Sequence, residues 1–279
     1  MSNLGERIAK LSPERQELLS RLLKQGQINL SHAVILPCVR NTNTAPLSFS
    51  QQRLWLFLQL DPENNSYNVP EALLLKGWLN VMALGQSFNE VVRRHEILRT
   101  TFQVVSGAPV QVIAEPQPID LEVIDMTRLP PPQRDETAQQ IINTEALRPF
   151  DLERGPLLRV RLLKLDKSEH ALLMTVHHIV SDGWSSSVMV HELTTLYKDF
   201  ISGRSSSLPE LPIQYADFAM WQRDWLQGEL LEEQLGYWRQ KLSGALPVLE
   251  LPADRLRPAV QRYEGATEPL DLPETLSRK

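Results

Sequence analysis

Ala171-Leu172-Leu173-Met174-Thr175-Val176-His177-His178-Ile179-Val180-Ser181-Asp182-Gly183 opens with six apolar or β-branched residues and closes on two histidines, an acid and a glycine. A short, bounded run of that kind predicts a buried strand that ends at the histidines, with Asp182-Gly183 as the turn. Beyond it, Trp184-Ser185-Ser186-Ser187 leads into Met189, Leu193, Leu196, Tyr197 and Phe200, spaced as one face of a helix that stops at Gly203. The histidines are therefore expected at a strand-to-loop junction ahead of a helix, where a buried scaffold presents side chains to a cleft. A proton carrier, a charge and a flexible turn in one place point to acyl transfer.

Two plainer readings compete. A histidine is usually an ordinary core or surface residue, and His32, His95, His170 and His191 are read that way. Metal binding is the other, but successive strand residues point to opposite faces, so His177 and His178 cannot share one ion while the strand persists. Neither an H-E-x-x-H pattern nor cysteine partners support zinc. What remains is that one histidine does chemistry while its neighbour holds the loop.

The chain has 279 residues, 42% hydrophobic and 23% charged, enough for a sizeable core in one large or two small domains. Its formal net charge of -5, with no Lys/Arg run, argues against nucleic acid. Cys38 is the only cysteine, which excludes an internal disulfide framework and fits a reducing compartment. No stretch has the length and apolarity of a membrane span, and the N-terminus lacks a secretory apolar region, so a cytoplasmic protein is expected.

Ser12-Pro13-Glu14-Arg15 reads as a helix start with Ser12 as N-cap, and Leu18, Leu19, Leu22 and Leu23 supply an apolar stripe. A polar stretch from Gln25 to Pro46 follows, so residues 1–44 are read as leader and linker, and 45–279 as the body. Whether the leader helix is simply solvated or docks a partner is left open. In the body, Asn68 to Lys76 reads as a strand, Asn80 as the cap of a helix carrying Val81, Leu84, Phe88, Val91 and Val92, and Arg99–Val105 with Pro109–Ala114 as a hairpin around Ser106-Gly107-Ala108. A strand over Ile119–Ile124, a helix over Pro131–Leu147, and strands over Leu157–Leu165 and Ala171–Val176 come next. Helices carrying Tyr215, Phe218, Trp221 and Trp225, then Leu231, Leu235 and Trp238, complete the pattern. Aromatics at that spacing are more often core than ligand platform. The order gives an α/β sandwich with a mixed sheet.

Four stretches carry a family resemblance. Leu47-Ser48-Phe49-Ser50-Gln51-Gln52-Arg53-Leu54-Trp55, Arg94-His95-Glu96-Ile97-Leu98-Arg99-Thr100-Thr101-Phe102, His177 to Ser185, and Tyr215-Ala216-Asp217-Phe218-Ala219-Met220-Trp221 resemble, in order, the first four signature motifs of the condensation domain of non-ribosomal peptide synthetases. Residues 1 to 25 resemble the helical leader of some synthetase subunits.

The resemblance implies a chloramphenicol-acetyltransferase-like two-layer sandwich, the first lobe of a two-lobe, V-shaped domain whose second lobe is largely missing from this chain. It implies amide formation between thioesters carried on the phosphopantetheine arms of donor and acceptor carrier proteins, with no cofactor bound directly. Other synthetase modules, or a complementary second lobe, are the further partners it implies. His178 is the implied active histidine and Asp182 a buried structural acid paired with an arginine, Arg99 in preference to Arg94. Gly183 would admit backbone close to the reacting centre, where a Cβ would crowd it; His177 and Trp221 would support the site. The amine's attack produces a charged tetrahedral species that must lose a proton, and imidazole, which ordinarily titrates near 6.5, suits that task. Since an α-amino group is already partly neutral near pH 7, positioning matters at least as much as base catalysis. A non-catalytic carrier-binding fragment is the alternative class. Epimerisation domains share the histidine pattern but differ in the first motif, and heterocyclising relatives replace the histidines with aspartate. The Ile179-Val180-Ser181 filling suggests a donor ending in an L-residue.

Overall fold

The computed structural model describes residues 34–250, except 120, together with Ser12, Arg15, Glu17, Pro252, Asp254 and 270–277. The expected leader helix thus lies, but for three positions, outside the described residues. The chain divides into two compact units, Met1–Glu232 and Glu233–Lys279.

The first unit is organised by the strand quoted above. Strands β1 (Thr44–Pro46), β2 (Asn68–Lys76), β3 (Thr100–Val105), β4 (Ala108–Ile113), β5 (Glu122–Asp125), β6 (Leu158–Asp166) and β7 (Glu169–His177) form two sheets. One has the order β2-β7-β6-β5 and the other β1-β4-β3. In the larger sheet β7 runs antiparallel to β2 and β6, whereas β5 lies parallel to β6, so the sheet is mixed as expected. Strand β7 is buried from His170 to His177, and its continuous apolar run is the composition that a strand covered on both faces requires. Alternate residues serve the two faces. Leu172, Met174 and Val176 join the main core, whereas Ala171 and Leu173 join a smaller cluster with Leu163, Met126 and Ala138.

Helices α1 (Phe49–Leu60), α2 (Val81–Arg94), α3 (Pro131–Leu147), α4 (Gly183–Ile201) and α5 (Tyr215–Trp225) belong to this unit, with a 3-10 turn over Glu96–Arg99. Asn80 caps α2 by accepting from the Ala83 N–H at 3.1 Å, and Leu84, Phe88, Val91 and Val92 form its buried face. Met189, Leu193 and Leu196 of α4 join the same core. Helix α3 starts with proline at its first positions, where the missing N–H costs nothing. It carries the parallel crossover from β5 to β6, the connection that parallel neighbours need. Helix α6 (Gly228–Lys241) spans the boundary between the units, and the second unit also holds α7 (Glu274–Ser277).

Three expectations shift. The linker does not extend to residue 44: Cys38 N–H donates to Asp217 Oδ1 at 3.1 Å, Arg40 meets Glu96 at 2.6 Å, and Thr44–Pro46 pairs with β4. This segment is polar, and its strand is a three-residue edge strand ending in proline, a position sheets tolerate but sequence patterns do not flag. The β3–β4 turn holds two residues, not three, with Ser106 at φ 54 and Gly107 at φ 81, the left-handed pair that a tight hairpin demands. Strand β5 begins at Glu122, because Ile119 is held outside it by the Asn89 side chain, whose Oδ1 accepts its N–H at 2.6 Å.

Phe88 is fully buried between α2 and the sheet. Phe88→Ala is expected to cost about 3–5 kcal/mol in urea unfolding, the range for a large aromatic cavity in a close-packed core; a loss below about 1 kcal/mol would place Phe88 outside the cooperative core.

Candidate active site

Strand β7 ends with its last residue sealed. The His177 ring is buried beside Phe150, at 5.8 Å and 78° between rings, and Tyr67, at 6.4 Å. Its Nδ1 accepts the Ile179 N–H at 3.1 Å, so in the neutral ring the proton sits on Nε2, which is buried and has no hydrogen-bond partner among the described residues. A positive charge there would go unsolvated, and burial, helped by His178 and Arg159, pushes His177 down to about 4. It is a neutral structural ring at ordinary pH.

His178 is the opposite case. Its N–H still donates to Tyr67 O at 2.8 Å, continuing the β2–β7 ladder by one bond. Its ring lies exposed on the far side, as strand alternation predicts. Ring Nδ1 stands 2.7 Å from Ser181 O. A carbonyl oxygen can only accept, so Nδ1 carries the proton and the neutral ring holds its lone pair on Nε2. The ring lines a cavity of about 490 Å³ whose wall includes Arg53, His95, Asp182, Ser185 and Tyr215.

Asp182 and Gly183 play different parts from those expected. Asp182 is the N-cap of α4, accepting from Ser185 N–H at 2.8 Å and from Ser185 Oγ at 2.6 Å. These bonds hold its carboxyl below the usual range. It is exposed, and the expected pair with Arg99 is not formed. The Arg99 guanidinium instead donates to Ala114 O and faces Glu96 at 3.7 Å, because the 3-10 turn that ends at Arg99 directs it toward its own hairpin. Gly183 is the first helical residue, not a turn, and a Cβ built on it meets nothing within 4 Å. Crowding within this chain does not account for the glycine.

Arg94 is the buried arginine. It grips Glu192 of α4 through Nε and Nη2, both at 3.2 Å, and donates from Nη1 to Pro209 O at 2.9 Å. Glu192 also meets His95 Nε2 at 2.9 Å. Burial works against its ionisation, but the hydrogen bonds from Arg94 and His95 outweigh it and keep its carboxyl below the ordinary range. The second motif therefore reaches the cavity wall directly through Ile97 and through His95, read from sequence as ordinary, while Arg94 holds Glu192 behind it. Trp221 stacks on Trp225 at 5.1 Å and 16° and lies 5.8 Å from Phe218. Its helix is tied to the first motif by Arg223, which donates to Leu47 O at 2.8 Å and covers the Phe49 ring at 4.1 Å. Trp221 thus packs against Phe218, which lines the cavity. Among the described residues no group of His, Cys, Asp and Glu could hold a metal ion, and no helix is long and apolar enough to cross a membrane.

The loop presents one exposed imidazole, with its Nδ1–H committed to Ser181 O, at the end of a doubly covered strand of an α/β scaffold. Comparison with known proteins gives the family. The condensation domain pattern matches residues 41–279. One component of the linear gramicidin synthase of Brevibacillus parabrevis is 45% identical over 94% of this chain, which spans 3% of that protein. Phosphinothricin tripeptide synthetase PhsC of Streptomyces viridochromogenes is 40% identical over 99% of this chain, which spans 26% of it. Among solved structures, the X-domain from teicoplanin biosynthesis superposes with a TM-score of 0.70 at 32% identity, over 80% of this chain and 49% of that one. The starter condensation domain of rhizomide synthetase shares the fold, with a TM-score of 0.65 at 21% identity over 72% and 48%. The chain belongs to the condensation domain family of non-ribosomal peptide synthetases and spans about half the length of these solved relatives.

Two outcomes follow from this geometry. The folded-state pKa of His177 lies below its value in an unfolded chain, so the unfolded state binds the proton first as pH falls below about 6.5. Stability is therefore lost progressively between about 6.5 and 4. His177→Asn places an amide oxygen near the Nδ1 position without a titrating ring; relative to it, the natural chain should lose on the order of 2 kcal/mol more between pH 7 and 4.5 in urea unfolding. Equal pH slopes would refute the assignment. Separately, Arg94→Met should cost about 3–5 kcal/mol by stranding Glu192, and a cycle with Glu192→Met should show coupling of about 1 kcal/mol or more. Asp182→Asn and Arg99→Ala should add within about 0.5 kcal/mol.

Proposed function

We propose that this chain is the histidine-bearing half of an amide-forming acyltransferase. Its substrates are a donor acyl or peptidyl thioester and an acceptor aminoacyl thioester, each on the phosphopantetheine arm of a carrier protein. The observation that carries this reading is the orientation of His178, whose Nδ1–H is committed to Ser181 O so that the Nε2 lone pair is the available nitrogen. The acceptor nitrogen attacks the thioester carbon, forming C–N, and the C–S bond then breaks. The attacking nitrogen gives up a proton to Nε2, and the same proton goes to the departing sulfur, so the ring ends as it began. Because an amine is partly neutral near pH 7, orienting it and taking its proton during attack are the two contributions the ring makes. Asp182 acts through the loop by capping α4, and Arg94 by fixing Glu192. The span of the solved relatives supports a second lobe as the partner that completes the cleft.

The test uses loaded donor and acceptor carriers with this chain, alone and with a separately expressed second lobe. The assembled pair should form the amide and the single chain should not exceed background. His178→Ala should lower the rate by about 10²-fold or more with little change in melting, since the ring is exposed. Full activity of His178→Ala would overturn the reading, and product from the single chain would overturn the requirement for a second lobe. A folded pair that binds carriers without turnover would identify the alternative, a carrier-binding module.

A further inference from the structure

Among the residues of the first motif, one reaches the histidine loop directly. Gln51 lies in the first turn of α1 with its side chain fully buried, and all three of its polar bonds are defined. Its Oε1 accepts the Ser48 N–H at 3.0 Å, completing a capping box in which Ser48 Oγ accepts the Gln51 N–H at 3.2 Å. The two hydrogens of Nε2 go to Gln111 Oε1 and to Ile179 O, each at 3.4 Å. Ser48 Oγ also shares a hydrogen bond with the Tyr215 hydroxyl at 3.0 Å, and Tyr215 lines the same cavity as His178.

Ile179 follows His178 directly, and it is held on both sides. Its N–H is bound by the His177 ring and its carbonyl by Gln51. With both peptide planes fixed, the chain turns so that Val180 N–H returns to His177 O at 3.0 Å and Ser181 O comes under the His178 ring. A helix cap is a local device, yet this one is extended by the glutamine amide into a tertiary clamp. The clamp is dry at Gln51 and reaches the cavity at Tyr215.

The structure assigns Gln51 as a positioning residue that, through Ile179 O, sets the loop so that Ser181 O accepts the hydrogen bond from His178 Nδ1–H, which keeps the proton on Nδ1 and the lone pair on Nε2. This rests on His178 as the reacting group for its consequence, but the clamp itself is a property of this chain and is read without any condensation. Gln51 is placed to touch the loop backbone, not a substrate. Its contribution is the tautomer and direction of a ring it does not contact.

The experiment records imidazole 15N signals of the full chain labelled at histidine, at about pH 8.5 where imidazoles are neutral, with His178→Ala assigning the resonance, and follows amide exchange of Ile179 and Val180. In the natural chain His178 should show the Nδ1-protonated form. Gln51→Met, similar in volume but without the amide, should convert about a third or more of the population to the Nε2-protonated form and speed exchange of the two amides about tenfold or more. Gln51→Asn keeps the amide but is one methylene too short to span from α1 to Ile179. It is the milder change and must give the same signature if Gln51→Met fails to fold. Gln111→Met removes the neighbouring partner and leaves the Ile179 bond. It should lower the melting temperature while His178 keeps its natural signals. Natural His178 signals in folded Gln51→Met or Gln51→Asn would overturn the assignment, as would an equal change in Gln111→Met, which would mark general loosening. The amide-forming role of His178 stands or falls by its own assay.

Discussion

Because β7 is covered on both faces, its register against β2 and β6 fixes which residue is the last to be buried. Asn68 pairs with His177, and that pairing places His177 inward and His178 outward. A slip of one residue would exchange every side chain between faces, putting Leu172, Met174 and Val176 where Ala171 and Leu173 belong and driving the cavity imidazole into the core. The apolar run is thus more than filler before a motif. It determines which of two adjacent histidines faces the cavity and which is buried and held neutral. The environment, not the residue type, separates their roles.

The four motif stretches work mainly as seams between elements. Motif residues Arg94 and His95 converge on Glu192 of α4. Asp217 accepts the Cys38 and Gln214 N–H groups, Gln214 Nε2 donates to Arg94 O, and Tyr215 meets Ser48. Most of these bonds join residues that are distant in sequence, and each satisfies a buried or half-buried polar group that would otherwise be costly to exclude from water. His178 combines exposure with an imidazole lone pair left over after the loop's internal bonds are made. Its neighbours specify its position.

What the sequence shows clearly is what local pattern determines. The buried run predicted β7, Asn80 predicted the α2 cap, and Pro131 to Leu147 delimited α3, since strand burial, capping and proline placement are all short-range. The opposite orientations of His177 and His178 also followed from strand alternation. Partner choice did not. An acid and an arginine at motif positions suggest an ion pair, but Asp182 finds a nearer partner three residues away in Ser185, and a local cap needs no arginine. Glu192 carries no motif and sits mid-helix, so nothing in its surroundings along the chain marks it as the acid that Arg94 requires. The docking of residues 38–46 was likewise illegible, because a three-residue edge strand has no periodicity to detect.

The Arg94–Glu192 pair explains why a polar seam stands where an apolar one would also fill space. Two charges removed from water recover little net stability even when well paired, and apolar residues of similar volume often do as well. Direction is what an apolar contact lacks. Through one guanidinium, Arg94 bonds both Glu192 oxygens and Pro209 O, while its own carbonyl accepts from Gln214, so α2, α4 and the 209–214 segment are fixed in one relative register. That segment supplies Leu211, Ile213 and Gln214 to the wall facing His178. A greasy packing surface would permit these elements to slide by fractions of an ångström at little cost, whereas a forked, buried hydrogen bond would not. The wall is therefore aligned with the histidine loop by polar geometry, and the apolar core beneath it supplies the stability that lets such a pair be buried at all.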